Sequence, residues 1–423
     1  MKSYLVKDGW VVNSINNTIR RRNLFIKGGK FCDLGEEDSK TETICAKGKY
    51  IMPGLFDLRC HLSQPGVNFK KSVDKISRSA ASGGFTSILA MPELSSMADS
   101  AETIKYTQDS VIKEDKVKIH LTGCLTMGSL GKNLAPLGSL KEAGVISVTD
   151  CPNSPQDNQI FCKAIEYASM FDLPVLDLPR DLSLSPEADA HESLLSLKMG
   201  LKGFPRMAEE LYVSRAILLA KYTEAKIHLT SISSKGSVEL IKKAKQDGIQ
   251  ITADVTSNQL YYTEECIRKF DSFAKALPPF REKTDQDALI RGIRAGSIDC
   301  ISSGHQPYSF QEKSKEFDLS PSGTLGLENA FLQVFERLNI NIKEKLCLIA
   351  KVMSVNPSNI LNIEPINYKK GTSADFFIFD PNGSTIIKRN YNDIGGANLP
   401  VEKREFKGTI CRTFVNGRII YSQ

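Results

Sequence analysis

A chain of 423 residues exceeds a usual single domain, so one large domain with a smaller companion is expected. A hydrophobic fraction of 41% and a charged fraction of 25% describe an ordinary globular protein that can bury a sizeable core without staples. The net charge of +6, from 55 basic and 49 acidic residues, is too small and too evenly spread to mark a nucleic-acid surface.

Short basic clusters, Arg20-Arg21-Arg22 and Lys369-Lys370, read as solvated faces. No apolar run reaches membrane-spanning length, and residues 1–8 lack the long apolar centre of a signal peptide. The ten cysteines are scattered without a CxxC pair, which suits reduced, cytoplasmic usage and no disulfide framework. The expectation is a cytoplasmic protein that engages neither membrane nor nucleic acid.

Residues 1 to about 50 read as short strands and turns. Tyr4-Leu5-Val6, Trp10-Val11-Val12 and Leu24-Phe25-Ile26 are β-type runs broken at Asp8-Gly9 and Gly28-Gly29. The C-terminus repeats that style in Phe376-Phe377-Ile378-Phe379 and Thr413-Phe414-Val415. Strands at both ends suggest one small β domain composed from both termini. Between them, strand-like runs alternate with helical segments over some 300 residues. Such runs include Ile88-Leu89-Ala90, Ile119-His120-Leu121, Val145-Ile146-Ser147-Val148, Pro174-Val175-Leu176, Ile227-His228-Leu229, Ile251-Thr252-Ala253 and Cys300-Ile301-Ser302. The clearest amphipathic helix between them is Ser237-Val238-Glu239-Leu240-Ile241-Lys242-Lys243-Ala244. This alternation predicts an α/β fold, a (β/α)8 TIM-type barrel over residues 53–364, with residues 1–52 and 365–423 forming the composite β domain.

The stretch Met52-Pro53-Gly54-Leu55-Phe56-Asp57-Leu58-Arg59-Cys60-His61 reads as the first barrel strand, ending in polar residues at the mouth. Two histidines in an Asp-x-His-x-His pattern there would point the same way and could bind one zinc ion, but Arg59 holds the first position.

Further blocks strengthen the pattern: Gly83-Gly84-Phe85-Thr86, Met91-Pro92, Ala208-Glu209-Glu210, His228-Leu229-Thr230-Ser231, Val255-Thr256-Ser257-Asn258, Pro278-Pro279-Phe280-Arg281, His305-Gln306-Pro307 and Gly323-Thr324-Leu325-Gly326. Together, in this order, they resemble the dihydroorotases of the amidohydrolase superfamily, over essentially the whole chain. The resemblance implies a metal-bearing barrel that opens or closes the dihydroorotate ring in pyrimidine synthesis. Carried over singly, most functional positions are altered. Arg59 stands for the first histidine, His61 keeps the second, and Asp150 keeps the bridging aspartate. Leu178, Ser231 and Gly304 occupy the remaining ligand positions, and Gly304 that of the general base as well. Among substrate contacts, Ser63 replaces an arginine, Glu93 an asparagine and Tyr308 a histidine, while Leu277 replaces a polar residue and His305 is retained.

Hydrolytic zinc needs about three protein ligands and an open position for water. His61 and Asp150 are two, and Arg59 would set a permanent cation beside them, paired with Asp57 or Asp150. The resemblance therefore implies a pseudo-dihydroorotase without cofactor, a homo-oligomer serving as a structural or regulatory subunit, with aspartate carbamoyltransferase as partner. Two alternatives remain open at this point. One is altered amidohydrolase chemistry, with a single zinc at His61 and Asp150, a metal-free pocket using Glu93 and Cys151, or Asp177 as a compensating ligand. The other is a scaffold unrelated to pyrimidines. His120 and His228 read as structural strand residues, His191 as a surface residue, and Cys60 and Cys151 as small buried side chains.

Overall fold

The computed structural model describes all residues except 1, 14, 38, 63–68, 94–95, 112–115 and 391–397. Ser63 thus lies outside the described residues. Eight parallel strands run β1 Leu55–Cys60, β2 Phe85–Ala90, β3 Lys118–Cys124, β4 Ser147–Thr149, β5 Val175–Asp177, β6 Ile227–Leu229, β7 Ile251–Thr256 and β8 Cys300–Ser302. Each pairs with the next in chain order. A bridge between Cys60 and His305, with His61 N–H donating to the His305 carbonyl at 2.9 Å, brings the last strand round to the first. The sheet is a barrel of the expected kind.

The strands are buried along almost their whole length because both faces are covered. Helices Phe69–Ser82, Asn158–Ser169, Arg206–Thr223, Lys235–Gln246 and Lys283–Ala295 lie among those that cross between them. In Lys235–Gln246 the buried side chains Ser237, Val238, Ile241 and Ala244 fall on one face at helical spacing. Ser234 caps its start by accepting from Ser237 N–H, and Lys243 and Lys245 suit the negative end of the dipole. Alternation sorts the strand residues. Ile227 and Leu229 belong to the main core between strands and helices, so His228 between them turns into the barrel. Leu58, Leu89, Leu176 and Cys300, from strands that are mostly not neighbours, meet in a separate apolar cluster with Phe56, Met91, Cys151 and Leu178. That cluster fills the interior, as a packed barrel requires.

Outside the barrel, a mostly antiparallel sheet joins both ends of the chain. Strands Tyr4–Asn13, Thr18–Lys27 and Tyr50–Pro53 meet Phe376–Lys388, Lys403–Val415 and Arg418–Ser422. The join is the pairing of Ile378 with Ile51 and Phe376 with Pro53. Phe376 and Phe414 stack at 4.3 Å over a buried core that includes Val6, Val11, Leu24 and Ile51. Each such ring contributes about 1.5–3 kcal/mol of burial. Where the sheet meets the barrel, Gly84 turns with φ +81°, and any Cβ there would press on the Phe377 ring.

Candidate active site at the barrel mouth

The C-terminal ends of β1, β4, β5, β6 and β8 bring the sequence-predicted positions to one end of the barrel, where such folds place their chemistry. Arg59, 2% exposed, donates from Nη1 to Ser231 Oγ at 2.5 Å and to the Leu277 carbonyl at 3.3 Å. Among the described residues its Nε has no hydrogen-bond partner. The expected arginine–aspartate contact is not formed. Asp57 instead accepts from Ser303 N–H at 2.6 Å and Ser303 Oγ at 2.5 Å, while Asp150 accepts from Leu125 N–H, Thr126 N–H and Thr126 Oγ1. Neutral donors on the loops after β3 and β8 claim both carboxylates first. Burial still pushes Asp57 up to about 7 and moves Asp150 upward, against those hydrogen bonds.

His61 is buried, with Nδ1 3.0 Å from Glu93 Oε2 and Nε2 unpartnered. Burial pulls the imidazole below its ordinary value although Glu93 opposes this. Glu93 is itself held low: burial raises it, but the His61 hydrogen bond and the charges of His61 and Arg59 outweigh that. The two directions agree on a neutral imidazole donating Nδ1–H to an ionised carboxylate. Glu93 is thus engaged with His61.

At the fifth strand, Leu176 and Leu178 both enter the interior apolar cluster, so Asp177 between them faces outward. There it meets Arg215 Nη2 and Ser154 Oγ, each at 3.4 Å. Asp177 therefore does not supply the ligand that Leu178 lacks. Cys151 lies at the end of β4 against Arg59, and burial pushes its thiol up to about 11 despite the pull of the guanidinium. A protonated thiol at neutral pH is a poor nucleophile, and burial also pushes Cys60 well above its ordinary value.

Gly304 adopts φ +61°, and a Cβ on it would lie 2.7 Å from Thr256 Cγ2. An aspartate here would need Thr256 to move, so backbone and neighbour are fitted to glycine. The space bounded by Arg59, Thr256, Leu277 and Gly304 is about 10 Å³, room for roughly one water. His305 is buried beside it, accepts weakly from Gly326 N–H at 3.4 Å, and is pulled down to about 3, chiefly by burial. Tyr308 shares its hydroxyl with Gln306 Nε2 at 3.1 Å.

These residues do not fit a hydrolytic zinc ion. Of the family's donor positions only His61 and Asp150 carry ligand atoms, and both oxygens of Asp150 are already occupied by donors. A guanidinium reaches across to Ser231, joining two of the positions that the resemblance assigns to ligands, and a like-charged divalent ion beside it would be repelled. No step through a metal follows from this geometry.

Sequence reasoning missed a buried polar layer just inside the mouth. His228 Nε2 lies 2.9 Å from Asp254 Oδ2, and Asp254 Oδ1 accepts from Ser231 N–H and Ser302 Oγ. Burial raises Asp254, but His228 and the hydroxyls outweigh it and hold the carboxyl below its usual range. The signal was present: Asp254 alternates with Ala253 and Val255, which face the outer core. The reading of His191 as a surface residue is corrected. It is 1% exposed, with Nδ1 2.9 Å from Arg281 Nη1, because Ala190–His191 pairs in parallel with Gly203–Phe204 beneath the mouth loops. His191, Glu282 and Asp285 cluster closely enough to hold a cation. Arg206 already binds both acids, and Arg281 donating to Nδ1 leaves Nε2 protonated, so that cluster is an ion network.

Comparison with known proteins places this geometry. Residues 48–237 match the dihydro-orotase-like family model. The dihydroorotase of Acetivibrio thermocellus is 34% identical over 98% of both chains. That of Caldanaerobacter subterraneus subsp. tengcongensis is 34% identical, over 99% of this chain and 97% of its own. Among solved structures, an L-hydantoinase from Arthrobacter aurescens superposes with a TM-score of 0.84, at 20% identity, over 99% of this chain and 96% of that one. A dihydropyrimidinase from Brevibacillus agri gives 0.80 over 99% and 94%. The structural likeness concerns the fold.

Proposed function

This chain belongs to the dihydroorotase family, and we propose that it is a member which has given up the family's hydrolysis and acts as a structural or regulatory subunit. One observation carries the reading: the Arg59 guanidinium hydrogen-bonds Ser231 Oγ at 2.5 Å, so a fixed cation spans the ground where a metal would sit. Three further features agree. Gly304 offers no group to take a proton, Leu178 no ligand, and Cys151 no thiolate. The rest of the fold is intact, with buried cores in both the barrel and the small sheet. An intact fold without its reactive groups is what a protein kept for its surfaces would retain.

The proposed setting is pyrimidine synthesis, as an oligomer, with aspartate carbamoyltransferase as the partner. Size-exclusion chromatography of this chain mixed with the transferase of the same source, at micromolar concentration, tests it. Co-elution in a larger species, with altered stability or activity of the transferase, is expected. Two separate peaks and a transferase fully active and stable alone would overturn the partnership.

A further inference from the structure

The opposite end of the barrel holds a second candidate site. A cleft of about 390 Å³ opens at the N-terminal ends of β1, β2 and β3, under the small β domain. That volume lies within the range of small-molecule sites. It is far from the mouth along the strands: Phe56, Ser87 and His120 begin the strands that Arg59, Met91 and Cys124 end or follow.

The walls state what would fit. Phe56 and His120 form a tilted aromatic pair, with ring centres 5.0 Å apart and planes at 32°. Residues 363–366, with Ile363, Pro365 and Ile366, supply a facing apolar side. Among the described residues, neither the His120 ring nor the Ser87 hydroxyl has a hydrogen-bond partner, although both line the cleft. Burial and the charge of Lys118 pull His120 down to about 4, so the imidazole is neutral and presents one donor and one acceptor.

Charge narrows the choice. The one ammonium in the wall, Lys118, is held by Asp375 Oδ2 at 2.5 Å and Ser373 Oγ at 3.3 Å. Glu364 adds a negative charge on the rim. Among the described lining residues, no free cation remains to bind a phosphate or carboxylate. Flat walls with unpaired edge groups and no anion anchor favour a flat, uncharged guest.

We propose that this cleft binds a neutral planar heterocycle of nucleobase or nucleoside size, lying along the apolar side of residues 363–366 and read by the His120 edge and the Ser87 hydroxyl. The site goes beyond the reading of the mouth and stands without it. Isothermal titration of the full chain with uridine and adenosine, and with their 5′-monophosphates, tests it. At least one nucleoside is expected to bind with a Kd of about 1 mM or tighter, and its monophosphate no more tightly. His120→Leu should weaken binding at least about tenfold, corresponding to roughly 1.4 kcal/mol, while Glu93→Gln at the mouth leaves it unchanged. Ser87→Ala, a milder change, should weaken it in the same direction should His120→Leu fail to fold. Absence of saturable binding for both nucleosides would overturn the proposal. So would a monophosphate that binds about tenfold tighter than its nucleoside, or binding lost in Glu93→Gln and kept in His120→Leu.

Discussion

Among the described residues, Arg59 and Arg281 are both buried in this barrel, and their surroundings differ. Arg281 donates from Nε to Ser233 Oγ at 3.0 Å and from Nη1 to the Phe204 carbonyl at 2.8 Å, and its Nη2 faces Glu209 Oε2 at 3.5 Å. Glu209 in turn accepts from the backbone of Ser233 and Ser234. The Arg281 charge has its counter-charge built beside it. Among the described residues, Arg59 hydrogen-bonds a hydroxyl and a carbonyl and lies against the Cys151 thiol, with Nε left over. The nearby acid, Glu93, is already occupied by His61. One guanidinium belongs to a network that holds loops together; the other is held by neutral groups at the mouth.

The comparison can be broken at either arginine. The largest effect is expected for Arg281→Met, which leaves Glu209 fully buried without its cation. A loss of about 3–5 kcal/mol in urea unfolding is expected, and a loss below about 1 kcal/mol would remove the distinction.

Next comes acid sensitivity at the mouth. His305 binds its proton at about 3 in the fold and near 6.5 when unfolded, so the unfolded chain takes up the extra proton between those values. Stability contributed by this residue is present above pH 6.5 and is lost as pH falls. Between about pH 6.5 and 5 the loss is about 2 kcal/mol. In His305→Gln the slope of unfolding free energy against pH should flatten over that window. An unchanged slope would show that His305 is not buried as a neutral ring.

The smallest effect is expected at Arg59 itself. Arg59→Met removes a buried charge that has no carboxylate partner, so the change should be a gain, or a loss under about 1 kcal/mol. A loss as large as that of Arg281→Met would show that the ionised Glu93 nearby acts as a full counter-charge to Arg59 although it is hydrogen-bonded to His61.

Much of this was legible in the chain. The alternation of apolar runs and amphipathic helices is a local pattern, so the barrel could be read from it, and the strand-rich ends announced the composite sheet. The residues expected at the mouth, Arg59, Leu178, Ser231 and Gly304, were named from identity alone, and the structure brings Arg59 and Ser231 together. Partners across the barrel were not legible. Arg59 was expected on an aspartate, yet the carboxylates of Asp57 and Asp150 are taken by Ser303 and Thr126, whose positions only the folded loops fix. His191 sits in a polar stretch, Ala188-Asp189-Ala190-His191-Glu192, that reads as surface. It is buried because a two-residue parallel bridge and Arg281, some ninety positions along, close over it.

The central claim concerns metal, and metal content tests it most directly. The full chain, expressed in zinc-supplemented medium and purified without chelator, is to be measured for zinc per chain alongside dihydroorotate hydrolysis. Zinc well below about 0.1 per chain, with hydrolysis no faster than the buffer blank, is the predicted result. About one or more zinc per chain, accompanied by turnover of dihydroorotate, would contradict it.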